Sequence, residues 1–128
     1  MIGRLHHMVI DCPDPLSLAE FYSTLVGLPI TYRSDDLVVI ARNETSSGIA
    51  FQLAPDHQPP RWPDPNHPQQ FHLDIMVDDL TNADHEVRQL GAQPLTEDGH
   101  VYADPAGHPF CLVPRPEWAQ PIDNPADQ

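Results

Sequence analysis

The stretch LHHMVIDCPDPLSLAEFY, residues 5–22, decides the fold because it joins a strand pattern directly to a helix pattern. Residues 5–11 are strand-like, and Asp14 and Pro15 are residue types preferred at a helix N-cap and at the first helical position. The apolar residues that follow recur at helical spacing, namely Leu18, Phe21, Tyr22 and Leu25. Gly27 then stands where a helix-ending glycine belongs. The stretch therefore predicts one strand followed by one helix.

The second half of the chain repeats this order. Residues 71–78 (FHLDIMVD) form a predicted strand, Asp79 can cap a helix, and Gly91 ends it. The apolar residues of this helix share one face, namely Leu80, Ala83, Val87 and Leu90. Three short predicted strands follow each helix, at 29–33, 37–42 and 48–54, and again at 93–96, 100–103 and 109–113. Each half therefore reads βαβββ, with His7 and His72 at matching places.

Alternation along the strands predicts which side chains share a face. The odd positions of the strand at 71–78 are all apolar and are expected to pack under the helix, namely Phe71, Leu73, Ile75 and Val77. The even face carries His72 and Asp74. By the repeat, His7, Val9 and Asp11 share the corresponding face of the first strand. This polar face is either solvated or lines a site.

Composition excludes several kinds of function. The six basic residues are all arginine, so the chain has no lysine for a Schiff base or a phosphate-binding loop. Nineteen acidic residues give a formal charge of −13, which disfavours nucleic acids and anionic membranes and favours neutral or cationic ligands. The sequence contains no run of about 18 apolar residues, so it predicts no membrane-spanning helix. Two cysteines without a CxxC motif indicate a reduced, cytoplasmic setting.

The segment 55–70 (PDHQPPRWPDPNHPQQ) joins the two halves and contains six prolines. It is too rich in proline for a helix or a central strand. It is predicted either as an ordered loop, with Trp62 as an apolar anchor, or as a plain spacer. We expect one domain over residues 1–128, with modules at 4–54 and 71–114 and a tail at 115–128.

The repeated βαβββ order, the opening stretch and the turn sequence DPAGHPF (104–110) resemble the vicinal oxygen chelate superfamily. Its glyoxalase-like, bleomycin-resistance-like branch is the most similar. The resemblance covers residues 4–114 and implies an α+β fold in which two βαβββ modules form curled mixed sheets around a cavity. It also implies a homodimer. Function does not follow from it, because one fold hosts many activities.

In this superfamily, metal ligands come from the first and last strands of each module. Matched by spacing, the resemblance implies that the four ligand positions fall on His7, Gln52, His72 and Cys111. Glyoxalase I enzymes place a carboxylate on the last strand of each module, and ring-cleaving dioxygenases hold Fe(II) with two histidines and one carboxylate. This chain has no Asp or Glu at any of the four positions, and Cys111 stands where metal-using relatives place a glutamate.

Three hypotheses about function stay open. The first is metal-independent binding of a small molecule, of the resistance or sequestration type, in a pocket of His7, Gln52, Trp62, His72 and Cys111. The second is a metal-dependent lyase, isomerase or hydrolase in which His7, His72 and Cys111, with Gln52, hold Zn²⁺, Ni²⁺ or Fe²⁺. The third is a metal-free enzyme in which His72 and Asp74 form an acid–base pair. We expect the first, without a cofactor and with a small-molecule partner.

Overall fold

The computed structural model describes residues 1–122 and divides the chain into two compact units, one covering Met1–Pro59 and the other beginning at Pro60. Each unit contains one helix and one four-stranded mixed sheet in βαβββ order, which confirms the predicted α+β fold. That the two modules make one domain stays a prediction. The end of the predicted tail, residues 123–128, lies outside the described residues. Over residues 1–122, no helix is long and apolar enough to cross a membrane.

The first unit builds its sheet from four strands in the order β1-β4-β3-β2. Its elements are β1 (His7–Cys12), α1 (Pro15–Val26), β2 (Ile30–Arg33), β3 (Leu37–Ile40) and β4 (Gly48–Leu53). Strands β1 and β4 are parallel, and the other two pairings are antiparallel. The helical crossover allows the parallel pairing, because parallel strands need a long connection between them.

The second unit repeats this topology, with the order β5-β8-β7-β6. Its elements are β5 (Leu73–Val77), α2 (Leu80–Gln89), β6 (Gln93–Pro94), β7 (Val101–Ala103) and β8 (Pro109–Pro114). Strands β5 and β8 are parallel, and β8 pairs antiparallel with β7. The first and last strands of the unit are therefore neighbours, which places side chains of β5 beside side chains of β8.

Local signals start and stop α1 as the sequence predicts. The Asp14 side chain accepts a hydrogen bond from the backbone N–H of Ser17, and Pro15 occupies the first helical position. Gly27 ends the helix in the left-handed region at φ 71°, which glycine adopts without steric cost. On the buried face, Tyr22 stacks on Phe51 of β4 with ring centroids 5.5 Å apart. This contact fixes α1 on one face of its sheet.

A similar arrangement fixes α2 in the second unit. The Asp79 side chain accepts hydrogen bonds from two backbone N–H groups of the first turn, which confirms it as the N-cap. The ring of Tyr102 on β7 stacks on Phe110 of β8, and its hydroxyl donates a hydrogen bond to Asp84 of α2. Burial, followed by the hydrogen bond to Asp84, raises the pKa of Tyr102 well above its usual range. Tyr102 therefore joins α2 to the sheet through both packing and a polar contact.

The DPAG sequence forms the predicted turn before the last strand. The buried carboxylate of Asp104 accepts hydrogen bonds from the backbone N–H groups of Ala106 and His108, and one oxygen lies 2.8 Å from Nδ1 of His108. Gly107 has a positive φ of 96° and donates its N–H to the Asp104 carbonyl. This turn sets the start of β8, and with it the position of Cys111.

Several strand ends differ from prediction. β5 begins at Leu73 rather than at 71, and Phe71, which was expected to pack under the helix, is 50% exposed. The reason is the partner strand. Leu73 pairs with Phe110, and the chain before Phe110 consists of Pro109 and the turn, so nothing extends the ladder toward Phe71. Strand β6 ends at Pro94 rather than at 96, although the backbone N–H of Leu95 still donates to the Val101 carbonyl of β7 at 2.8 Å.

The linker is an ordered loop where it enters the second unit. The backbone N–H of Arg61 donates to the His67 carbonyl at 2.8 Å, and that of Asp64 donates to the Arg61 carbonyl at 2.6 Å. The bond between Trp62 and Pro63 is cis. These contacts support the loop prediction over the spacer prediction for residues 61–67.

Candidate functional site

Three polar side chains meet at the paired strands β5 and β8. Asp74 lies directly opposite Cys111 in the parallel ladder, and His72 lies two residues before Asp74. The Nε2 atom of His72 is 3.4 Å from Oδ1 of Asp74. One nitrogen, one carboxylate oxygen and the Cys111 sulfur all lie within 4.8 Å of one another. We call His72, Asp74 and Cys111 the triad.

The packing of β8 places the triad on the face that α2 does not cover. Phe110 and Leu112 are 0% and 3% exposed, and α2 packs on this strand. Because neighbouring side chains of a strand point to opposite faces, Cys111 points away from α2. Its neighbours Asp74 and His72 are exposed, while Cys111 is half-buried. A small molecule can therefore reach all three groups.

The electrostatics of the triad keep the cysteine protonated. Cys111 and Asp74 are direct partners in the ladder of β5 and β8. Burial first, and then the negative charge of Asp74, raise the pKa of Cys111 above its usual value. A thiol with a raised pKa is a weak nucleophile near neutral pH. The triad thus presents a hydrogen-bond donor at sulfur, a carboxylate and an imidazole, rather than a reactive thiolate.

His7, the matching histidine of the first unit, has a different environment. Its Nδ1 atom accepts a hydrogen bond from the backbone N–H of Gly48 at 3.0 Å, and its ring centroid lies 4.0 Å from that of His6. Burial first, and then the neighbouring His6, lower the pKa of His7. In a neutral imidazole whose Nδ1 accepts, the proton is on Nε2. Nε2 of His7 is therefore a hydrogen-bond donor in this arrangement.

The register of β1 and β4 separates His7 from Gln52. His7 pairs with Gly48, whereas Gln52 pairs with Asp11, four residues further along. Four residues of a strand span about 13 Å, so the two side chains are not brought together. The residues that match Asp74 and Cys111 in the first unit are Val9 and Ala50, which also face each other. The first unit thus repeats the fold but not the triad.

Comparison with known proteins identifies the family. A family model described as "Glyoxalase-like domain" matches residues 7–113. The chain belongs to the glyoxalase-like domain family. The match runs from the first residue of β1 to β8, so it includes the triad and both βαβββ repeats of this glyoxalase-like domain. Comparison with curated proteins finds no match.

Solved structures share the fold of this glyoxalase-like domain at low sequence identity. A glyoxalase/bleomycin resistance protein/dioxygenase family enzyme from Burkholderia phytofirmans PsJN is 17% identical with a TM-score of 0.63, covering 86% of this chain and 97% of that one. The fosfomycin resistance protein FosX from Listeria monocytogenes is 13% identical with a TM-score of 0.63, covering 92% and 98%. A bleomycin-binding protein complexed with bleomycin is 20% identical with a TM-score of 0.52, covering 89% and 99%.

The donor chemistry of the triad fits a divalent metal of borderline softness. Zn²⁺ binds imidazole nitrogen, thiolate sulfur and carboxylate oxygen, at distances that place tetrahedral ligands roughly 3.5 Å apart. The distance of 3.4 Å between Nε2 of His72 and Oδ1 of Asp74 already matches this spacing. Because all three donor atoms lie within 4.8 Å of one another, a small side-chain movement would bring the Cys111 sulfur to the same spacing. Within residues 1–122, no other group of three histidine, cysteine or acidic side chains has this proximity.

Proposed function

We propose that this chain binds a small organic molecule through the triad, without a metal, as a binding protein of the glyoxalase-like family. The observation that carries the proposal is the meeting of His72, Asp74 and Cys111 on the face of the second sheet that α2 leaves uncovered. The similar fold of a bleomycin-binding protein supports a binding role for this scaffold. The homodimer that the family resemblance implies remains a prediction.

The side chains of the triad determine which charge and which hydrogen-bonding groups a ligand should carry. Asp74 accepts hydrogen bonds and carries negative charge, and the formal charge of the whole chain is −13. An acidic surface concentrates cations and repels anions. The Cys111 thiol and the exposed His72 ring add a weak donor and a group that donates or accepts. The triad therefore favours a neutral or cationic ligand that donates a hydrogen bond to Asp74.

The proposal is tested by titrating bleomycin and a fragment library into metal-free protein while following histidine ring resonances by NMR. We expect bound compounds to shift His72 and to leave His85, which is exposed on α2, unchanged. Asp74→Asn should weaken their binding about tenfold, because a charged hydrogen bond contributes roughly 1.5 kcal/mol or more. The matched control Asp98→Asn changes an exposed loop acid and should bind as the wild type does.

Two results would contradict metal-free binding at the triad. One is that no compound shifts His72. The other is that bound compounds keep their affinity in the triple variant His72→Ala, Asp74→Asn, Cys111→Ser. Either result would assign ligand binding, if any, to another part of the molecule.

A second candidate function is favoured by the proximity of the three donor atoms. In this alternative, His72, Asp74 and Cys111 hold Zn²⁺ or a similar ion, and the chain is a metal-dependent lyase, isomerase or hydrolase. A bound Zn²⁺ supplies a Lewis acid and lowers the pKa of a bound water. The protein supplies the three ligands, and Cys111 must lose its proton to become one. Metal affinity should therefore rise with pH.

Metal binding separates the two candidates. If the second is correct, dialysis against Co²⁺ gives a stoichiometric complex with an ultraviolet thiolate-to-cobalt charge-transfer band. Cys111→Ser should remove that band, and His72→Ala should reduce Co²⁺ affinity at least about tenfold. Cys12→Ala is the matched control, since Cys12 is buried in the first unit and its sulfur is hydrogen-bonded to the Gln52 carbonyl. A protein that stays metal-free after dialysis against Zn²⁺, Co²⁺, Ni²⁺ and Fe²⁺ would exclude this candidate.

A further inference from the structure

The triad has apolar neighbours on its own face of the second sheet. Met76 lies two residues after Asp74, and Val113 lies two residues after Cys111. Met76 and Val113 are ladder partners, and Val101 of β7 pairs with Cys111. Because alternate residues of a strand share a face, these three apolar side chains lie on the side of the sheet that α2 does not cover. We call Met76, Val101 and Val113 the apolar patch.

The apolar patch keeps part of its surface accessible. Its three side chains are half-buried, as Cys111 is, whereas Phe110 and Leu112 on the opposite face of β8 are buried. Ligand sites combine an apolar lining with a few polar groups that fix the orientation of the ligand. The triad and the apolar patch together form such a surface, with one polar part and one apolar part.

An ion pair and the chain after β8 bound this surface at its far end. Asp78 and Arg115 come directly after the last residue pair of the ladder, and their side chains form an ion pair. The Arg115 guanidinium also donates to the Ala119 carbonyl at 2.7 Å. The Asp78 carboxylate accepts from the backbone N–H of Ile122 at 3.0 Å. The chain after β8 is therefore held at this end of the surface, beyond the apolar patch.

The strand geometry gives the length available to a ligand that lies along β5. Asp74 and Asp78 are four residues apart, a distance of about 13 Å on an extended chain. A hydrogen-bonded contact at Asp74 takes about 3 Å, and a van der Waals contact with the ion pair takes about 3.5–4 Å. About 6–7 Å remains for apolar groups, which a chain of roughly five or six carbons spans.

We propose that the ligand of the triad is an organic ammonium ion with an apolar group of about five or six carbons. This inference rests on the proposed function and specifies its ligand. The ammonium group donates a hydrogen bond to Asp74, and the apolar group lies on Met76 and Val113. A charged donor is favoured over a neutral one, because a hydrogen bond between two ionised groups is stronger and the chain has a formal charge of −13.

A series of alkylammonium chlorides at constant ionic strength tests the proposal. Each fully buried CH₂ group raises affinity about fourfold and a half-buried one about twofold, so hexylammonium should bind at least about tenfold more tightly than ethylammonium. Octylammonium should gain less than about twofold over hexylammonium, because its end passes the apolar patch. 1-Hexanol has no charge and should bind at least about fivefold more weakly than hexylammonium.

Two NMR probes report where the compounds bind. The ring resonances of His72 report on the ammonium end, and the methyl resonance of Met76 reports on the alkyl end. Hexylammonium should shift both. The Met8 methyl is the control, because Met8 shares a face of β1 with the buried Ile10 and should not shift.

Variants of the apolar patch make the test specific. Met76→Gln and Val113→Thr keep the size of the side chain and add a polar group. Each should lower the ratio of hexylammonium affinity to ethylammonium affinity at least about threefold and leave the ethylammonium affinity within about twofold. A variant that only misfolds would weaken both compounds together. Leu90→Gln is the matched control, since it makes a partly exposed apolar residue at the end of α2 polar and should keep the ratio.

Two results would overturn the proposal. One is that hexylammonium binds no more tightly than ethylammonium. The other is that Met76→Gln and Val113→Thr both keep the affinity ratio of the wild type. In either case the proposed function stands if bleomycin or a fragment shifts His72. Both the inference and the proposed function fail if no compound of either set shifts His72.

Discussion

Replacing Gly48 by alanine destabilises the first unit by at least about 2 kcal/mol. A Cβ atom at this position would lie 2.0 Å from the Ile40 carbonyl oxygen and 2.8 Å from Cβ of Ala41. Both are closer than atoms can approach, and the first belongs to the backbone, so β3 or β4 must shift. The shift would also disturb His7, because the N–H of Gly48 donates to its Nδ1 atom.

Gly3→Ala is the matched control for this prediction. A Cβ atom at Gly3 meets nothing within 4 Å, so Gly3→Ala changes stability only by lowering the conformational entropy of the unfolded chain. That change is similar for both substitutions, and the difference between the variants therefore isolates the clash. Urea unfolding followed by far-UV circular dichroism measures it. A Gly48→Ala midpoint within error of the Gly3→Ala midpoint would contradict the close approach of β3 and β4.

Replacing Phe110 by alanine destabilises the second unit by about 3–5 kcal/mol, the usual loss for a buried phenylalanine. Phe110 is fully buried, and its ring stacks on that of Tyr102 at 5.5 Å. Its removal leaves a cavity beneath α2 and exposes one side of the Tyr102 ring. Because the Tyr102 hydroxyl donates a hydrogen bond to Asp84 of α2, the substitution should also weaken the contact between α2 and the sheet.

Phe71→Ala provides the comparison within the same unit. Phe71 is half-exposed and lies before the first paired residue of β5, so its removal should cost less than about 1 kcal/mol. Both tryptophans lie in the second unit, and urea unfolding followed by their fluorescence measures both variants. A similar loss of unfolding free energy in Phe71→Ala and Phe110→Ala would contradict this prediction. Phe71 would then belong to the core, as the apolar alternation of residues 71–78 predicts.

The helix ends were predictable because their causes are local. Asp14, Pro15 and Gly27 act within four residues of the backbone groups that they satisfy or shape, and Asp79 does the same for α2. The meeting of His72 with Asp74 was also predictable, since two residues apart on an extended chain share a face. The place of Cys111 beside them came from the resemblance to the vicinal oxygen chelate superfamily, not from spacing alone.

The position of Gln52 shows where prediction from spacing ends. Counting residues from the family pattern placed Gln52 with His7, whereas the ladder places Gly48 opposite His7 and Ala50 at the position that matches Cys111. Register depends on the length and shape of the turn between β3 and β4, and on how closely Gly48 approaches Ile40. Neither quantity is visible in the alternation of apolar residues.

By itself, the sequence determined the two βαβββ repeats, the ends of both helices and the shared face of His72 and Asp74, because each depends on contacts between residues near in the chain. The tertiary structure alone decided that Asp74, rather than His72, is the ladder partner of Cys111, that Val9 and Ala50 occupy the same places in the first unit, and that Phe71 lies outside the core. These outcomes depend on pairing between residues that are far apart in the chain, 37 residues for Asp74 and Cys111 and 41 residues for Val9 and Ala50. The repeat therefore predicts two similar units, and strand register makes only the second a candidate site.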